Sequence, residues 1–172
     1  MKGKGNRGRM FHLFLVSLWV LISVMGCDDN IVPKSNENLS QLKAEWEREY
    51  TAWKALQIKN YEFTLTSESG INQKITVKDG IPATAIHTVL DEPVIPFYET
   101  IDAVFDLIYR GFLRDENLIF SPGQIGTYFS IYYDPEYHYP LIYDQIDIYE
   151  KKGHVVGNGV SIEIREFTLL EE

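Results

Sequence analysis

Little in this chain marks a conventional catalytic or metal centre. It has one cysteine, Cys27, and four histidines in 172 residues. A lone thiol closes no disulfide within the chain, so packing alone must hold the fold together. His87, His138 and His154 lie far apart with no thiolate beside them, which is not zinc-ligand spacing. There is no G-x-S-x-G elbow, no H-E-x-x-H pair and no phosphate-binding P-loop. Basic residues are also scarce, at 16 Lys and Arg against 25 Asp and Glu. With no basic stripe interleaved with aromatics, nucleic-acid binding is excluded as a reading. No cofactor and no metal is expected.

What is present begins with an asymmetric N-terminus. Lys2, Lys4, Arg7 and Arg9 precede an apolar run over residues 11–25, and no acidic residue occurs before Asp28. A charged start, a short apolar run and a small residue before the cut are the parts of a secretory signal. The run is shorter than the roughly 20 residues needed to span a bilayer as a helix. The segment Val24-Met25-Gly26-Cys27 resembles the lipobox of bacterial lipoproteins, with Val24 where that motif prefers leucine. The resemblance implies lipid on the Cys27 thiol and cleavage before it, which also accounts for the leftover cysteine. It places the chain in a bacterial cell envelope, held to the membrane by acyl chains on the periplasmic or surface side. The bland alternatives are an ordinary secretory signal with a free thiol at Cys27, or a cytosolic protein with an apolar N-terminal helix.

Removal of residues 1–26 takes away four basic residues and no acidic one, leaving about 146 residues with a net charge of about −13. That length suits one domain able to bury roughly 68–70% of its unfolded surface. The acidity weakens any claim that the folded domain lies on anionic lipid, so attachment is expected to come from the acyl chains. Residues 27–38 read as the lipidated cysteine and a flexible polar tether. Asp28-Asp29 serves either as a sorting signal or as plain solubility. Residues 39–172 read as a single domain.

Within that domain Leu39, Leu42, Trp46, Trp53 and Leu56 recur at helical spacing over residues 39–59, a ridge suited to packing on a sheet. Tyr61, Phe63 and Leu65 alternate with polar residues, and Ile75 and Val77 do the same over residues 73–78. Asp79-Gly80 is a favoured hairpin dipeptide, with a third strand expected over residues 83–89. Pro93 and Pro96 mark a rigid connection. Thr100 is a good N-cap for a second helix with stripe Ile101, Val104, Phe105, Ile108 and Phe112, which Gly111 is expected to stop before a polar turn at 114–117. Strands follow over residues 125–133, 141–149 and 160–167, with turns at Lys152-Gly153 and Gly157-Asn158-Gly159. The expected fold is α+β: an antiparallel sheet of about six strands, two helices on one face, in the order α-β-β-β-α-β-β-β.

Several of these residues together resemble a domain-of-unknown-function family of small secreted or lipid-anchored bacterial proteins. They are Trp53, Ile58, Tyr61 and Phe63, then Val77, Asp79 and Gly80, then the Thr100-Ile101-Asp102 helix start with Phe105, Asp106 and Ile108. Tyr133-Asp134-Pro135 and Tyr139-Pro140, leading to Ile142 and Asp147, complete the pattern. Family members often carry two close cysteines after the first strand, where this chain has Ser67-Glu68-Ser69, so no disulfide or metal role carries over. They also often have acidic residues before the last strand, where this chain has Lys151-Lys152-Gly153-His154. The resemblance implies a location and a fold, and no activity.

Chemistry concentrates in residues 128–149, which hold seven of the 11 tyrosines with Asp134, Glu136, His138, Asp144 and Asp147. Tyrosine pairs an apolar face with a polar tip, which suits sugar or peptide recognition. Tyr132, Tyr133, Asp134, Tyr137 and Tyr139 are therefore the candidate binding surface for an envelope protein or glycan. The competing reading packs alternate tyrosines against the helices and leaves 134–140 as a rigid turn. The four carboxylates are oxygen donors of the kind calcium takes, without EF-hand spacing. The leading expectation is a non-catalytic binding or envelope-maintenance module. The alternatives are an envelope hydrolase using carboxylates near Asp134 and Glu136, and an inhibitor or accessory subunit of a larger envelope complex.

Overall fold

The computed structural model describes residues 35–171 apart from Lys152. The basic start, the apolar run, Cys27 and the tether up to residue 34 lie outside the described residues. The elements in order are α1 (Ser35–Ala55), β1 (Tyr61–Ser67), β2 (Asn72–Lys78), β3 (Ile81–His87), β4 (Glu92–Pro93), α2 (Ile101–Glu116), β5 (Gln124–Tyr133), β6 (Pro140–Lys151) and β7 (His154–Leu169). The strands form one antiparallel sheet in the order β4-β3-β2-β1-β7-β6-β5. Among the described residues the fold is α+β, with two helices and seven strands. The strand absent from the expectation is β4, two residues long, where Pro93 sits on the sheet edge that tolerates a missing donor.

The core follows from alternation. Tyr61, Phe63 and Leu65 of β1 are buried, and Phe63 faces Ile75 while Tyr61 faces Val77 across the β1–β2 pair. Across the other neighbour Leu65 faces Ile164, and Ser67 faces Ile162. Leu39 and Trp53 of α1, and Ile101, Val104, Phe105, Ile108 and Phe112 of α2, join these strand residues in one hydrophobic cluster. Trp46 stacks on Tyr109, with ring centroids 4.9 Å apart, and donates its indole N–H to the Phe105 carbonyl. Ion pairs join Lys54 to Asp102 at one end of the helix pair and Lys43 to Glu116 at the other, so α1 and α2 run antiparallel.

Several boundaries differ from the sequence reading, beginning with α1, which starts at Ser35 inside the expected 27–38 tether. α1 ends at Ala55, because Gln57 turns left-handed with φ +53, and Leu56 is left exposed. α2 does not stop at Gly111; it runs on to Glu116, where Asn117 caps Leu113 through both its backbone and side-chain N–H groups. The glycine has another use. A Cβ at 111 would lie 2.8 Å from both the Tyr143 hydroxyl and Gln145 Oε1, so the bare backbone admits those two groups. Finally, Gly157-Asn158-Gly159 is strand, paired with Ile148, Asp147 and Ile146, and the only turn needed is the tight one between Lys151 and His154. Glycine marks a turn only where pairing does not claim it. No helix among the described residues is long and apolar enough to cross a membrane.

Candidate functional site

The tyrosine-rich stretch is the β5–β6 hairpin, and its side chains divide between core and surface. Tyr132 is exposed on the edge strand β5. Tyr133, next along, is half-buried and stacks on Phe105 of α2. Tyr139 is withdrawn from the candidate surface: it is only 5% exposed and stacks on Phe167 with centroids 4.6 Å apart. Tyr137 is half-buried and tilts against the same Phe167 ring at 5.3 Å. Burial pushes the Tyr139 hydroxyl up to about 12. It also raises the Tyr133 hydroxyl, which has no hydrogen-bond partner among the described residues.

The loop between these strands is organised by Asp134. One of its carboxylate oxygens accepts from the backbone N–H of Glu136 at 2.9 Å and of Tyr137 at 2.7 Å. Its carbonyl accepts from the His138 N–H, and its own N–H donates to the Tyr139 carbonyl. That is an Asx-turn closed by backbone bonds, with His138 left-handed at φ +63. Asp134 Oδ1 is therefore spent on backbone amides.

His138 then reaches α1. Its Nδ1 lies 2.8 Å from Glu49 Oε2, while Arg48 donates to the other Glu49 oxygen at 2.7 and 2.9 Å. Burial pushes the Glu49 carboxyl up, but the hydrogen bonds from Arg48 and His138 outweigh it and hold the group below its ordinary value. Together α1 and the loop enclose a shallow pocket of about 330 Å³, lined by Glu45, Glu49, Tyr132, Asp134 and His138 among others. An aromatic wall beside carboxylates and an imidazole suits a cationic or hydroxyl-rich group. Glu45 and Glu49 were not legible as site residues, since 89 positions separate Glu49 from His138.

A second polar cluster lies beneath the last turn of α2. Arg114 donates to Asp147 Oδ1, which also accepts from Thr127 at 3.4 Å and from Gln145 at 3.3 Å. Gln124 donates to Thr127 at 3.1 Å, and the Tyr143 hydroxyl donates to Gln145 Oε1 at 2.6 Å. Asp115 is wholly buried here, and neither carboxylate oxygen has a hydrogen-bond partner among the described residues. Burial raises its affinity for a proton; the nearby Thr127 hydroxyl and Arg114 charge oppose that, the Asp147 charge adds to it, and the net is upward. Residues 114–117, expected as a polar turn, are instead the last turn of α2 and its Asn117 cap, which brings this carboxyl into the interior.

The carboxylates weighed for calcium do not converge. Asp144 accepts from Ser161 at 2.6 Å, whereas Asp147, three residues on, points to the other face and into the α2 cluster. Among the described residues no three His, Cys, Asp or Glu side chains are grouped to hold a metal ion. No protein-family model, curated protein or solved structure matches the chain.

Proposed function

We propose that the chain is a bacterial cell-envelope lipoprotein, lipidated at Cys27, whose folded domain is a non-catalytic binding or envelope-maintenance module. The basic start, the apolar run and Gly26-Cys27 support the anchor. The binding role rests on one observation: the first helix and the β5–β6 loop bring Glu45, Asp134 and His138 together around a pocket that Tyr132 and Tyr133 also line. Such a surface suits a glycan or an envelope protein with a basic side chain. The core shared by both helices and alternate strand residues supports placing both helices on one face of the sheet. The resemblance to small lipid-anchored bacterial proteins agrees with this reading.

The test has two arms. Cys27→Ala should move the protein out of the membrane fraction, and its persistence there would reject the anchor. A photo-crosslinking residue at 132 in intact cells should capture a discrete partner that the same residue at Glu68, exposed in the β1–β2 turn, does not. Identical capture at both positions would reject the binding surface.

A further inference from the structure

We infer that one end of the domain, formed by the 117–123 loop and the β6–β7 hairpin, rests on the lipid bilayer that carries the anchor. This rests on the lipidation of Cys27 proposed above.

The argument begins with where the chain leaves the domain. α1 runs antiparallel to α2, and Lys43 is 2.8 Å from Glu116 at the end of α2. Ser35 lies eight residues before Lys43, roughly 12 Å further along the axis at a rise of about 1.5 Å per residue. The N-terminal segment therefore departs at the end where α2 stops and β5 starts. Between Cys27 and α1 there are seven residues, 28–34, which reach about 25 Å at most. A lipid on Cys27 would hold this end of the domain close to the membrane surface.

That same end exposes several apolar side chains. Leu118 and Ile119 are each 63% exposed, and Ile125 of β5 is also exposed. The Gly123 carbonyl accepts from the Glu150 N–H at 3.0 Å, which ties the loop to the hairpin. Glu150 pairs with Val155, and both Val155 and Val156 are exposed. Lys151 and His154 are exposed at the tip, and Lys152 lies between them in the sequence. Apolar side chains beside basic ones, on a domain that is acidic overall, suit the region between headgroups and acyl chains.

A second exposed apolar set, Val89, Leu90, Ile95 and Phe97, lies elsewhere. His87 pairs with Gln73, Gln73 with Leu65 and Leu65 with Ile164, ten residues along β7 from His154. At about 3.3 Å per residue that is roughly 33 Å from the hairpin tip. Its segment, 88–99, carries Asp91, Glu92 and Glu99 and no lysine or arginine.

The experiment uses the full chain purified with its anchor and reconstituted in vesicles of equimolar phosphatidylethanolamine and phosphatidylglycerol bearing acyl-chain nitroxides. Ile119→Cys, Val156→Cys and, as reference, Val89→Cys are each labelled with a fluorophore, and Cys27 is checked by mass spectrometry. The inference expects quenching at 119 and 156 several-fold stronger than at 89. Equal quenching at all three positions with Cys27 acylated would overturn it while the anchor stands. A free Cys27 thiol with no vesicle binding would overturn both.

Discussion

Gly111 and Tyr143 meet so closely that a Cβ at 111 would lie 2.8 Å from the tyrosine hydroxyl. Alanine in a helix interior is favoured over glycine by about 1 kcal/mol. Here it would press on a buried, rigid ring, and on Phe129 at 3.2 Å, where overpacking costs about 1–3 kcal/mol. Gly111→Ala should therefore destabilise by roughly 1 kcal/mol net, measured by urea denaturation. In a Tyr143→Phe background the oxygen is gone, and the same substitution should cost less by at least about 0.5 kcal/mol. A stabilised Gly111→Ala protein would show that the close approach is absent.

Asp115 gives a pH signature of defined sign. Burial leads the causes that raise its native proton affinity, so the native state keeps this proton to higher pH than the unfolded chain does. Between the ordinary Asp value of about 3.9 and the raised native one, folding binds a proton, and this group's contribution falls as pH rises. Asp147 and Arg114 are the charged groups that act on it, from β6 and from its own helix. In Asp115→Asn the proton is no longer released. The stability difference should move in the variant's favour as pH rises through that window. Parallel pH–stability curves for the two proteins would contradict the assignment.

The elements were legible where one signal dominated. Clean alternation located β1 and β2, and Thr100 marked the start of α2, where its hydroxyl accepts from the Ala103 N–H at 3.2 Å. The errors came from reading glycine as punctuation. Gly111 serves a helix–sheet contact, and Gly157 and Gly159 sit in a paired strand, so tertiary contacts decided their roles. The candidate site was half legible. Tyrosine density pointed to β5 and β6, but which rings face the core depends on Phe167 and Phe105. Those lie 28 positions after Tyr139 and before Tyr133, respectively. Asp115 escaped for the same reason, because its neighbours come from strands that local sequence does not bring to it.

The Glu49 carboxyl fastens the β5–β6 loop to α1 through His138. Burial pushes the carboxyl up, the Arg48 and His138 hydrogen bonds pull it down further, and its native value is below the ordinary one. Its contribution is complete above the ordinary Glu value of about 4.3 and is lost as pH falls through the native value. Glu49→Gln should cost about 1.5–3 kcal/mol at neutral pH, the range for hydrogen bonds to charged groups. That difference should shrink toward acid. Amide exchange at Tyr137 and His138 should quicken in the variant; unchanged rates would detach the loop from this contact.

Tyr139 and Tyr132 share a hairpin and predict opposite outcomes. Tyr139 is buried against Phe167, so Tyr139→Ala empties a ring-sized space and should cost about 3–5 kcal/mol. Tyr132 is 61% exposed and makes no core contact, so Tyr132→Ala should change stability by less than about 0.5 kcal/mol. Tyr132 is also the ring that a bound partner would cover, whereas Tyr139 can influence binding only through the fold. With the photo-crosslinking residue placed at Glu45 instead, loss of capture in Tyr132→Ala at unchanged urea midpoint would locate recognition at the pocket. Retention of capture there, with loss only in variants that unfold, would return the whole tyrosine-rich stretch to a packing role.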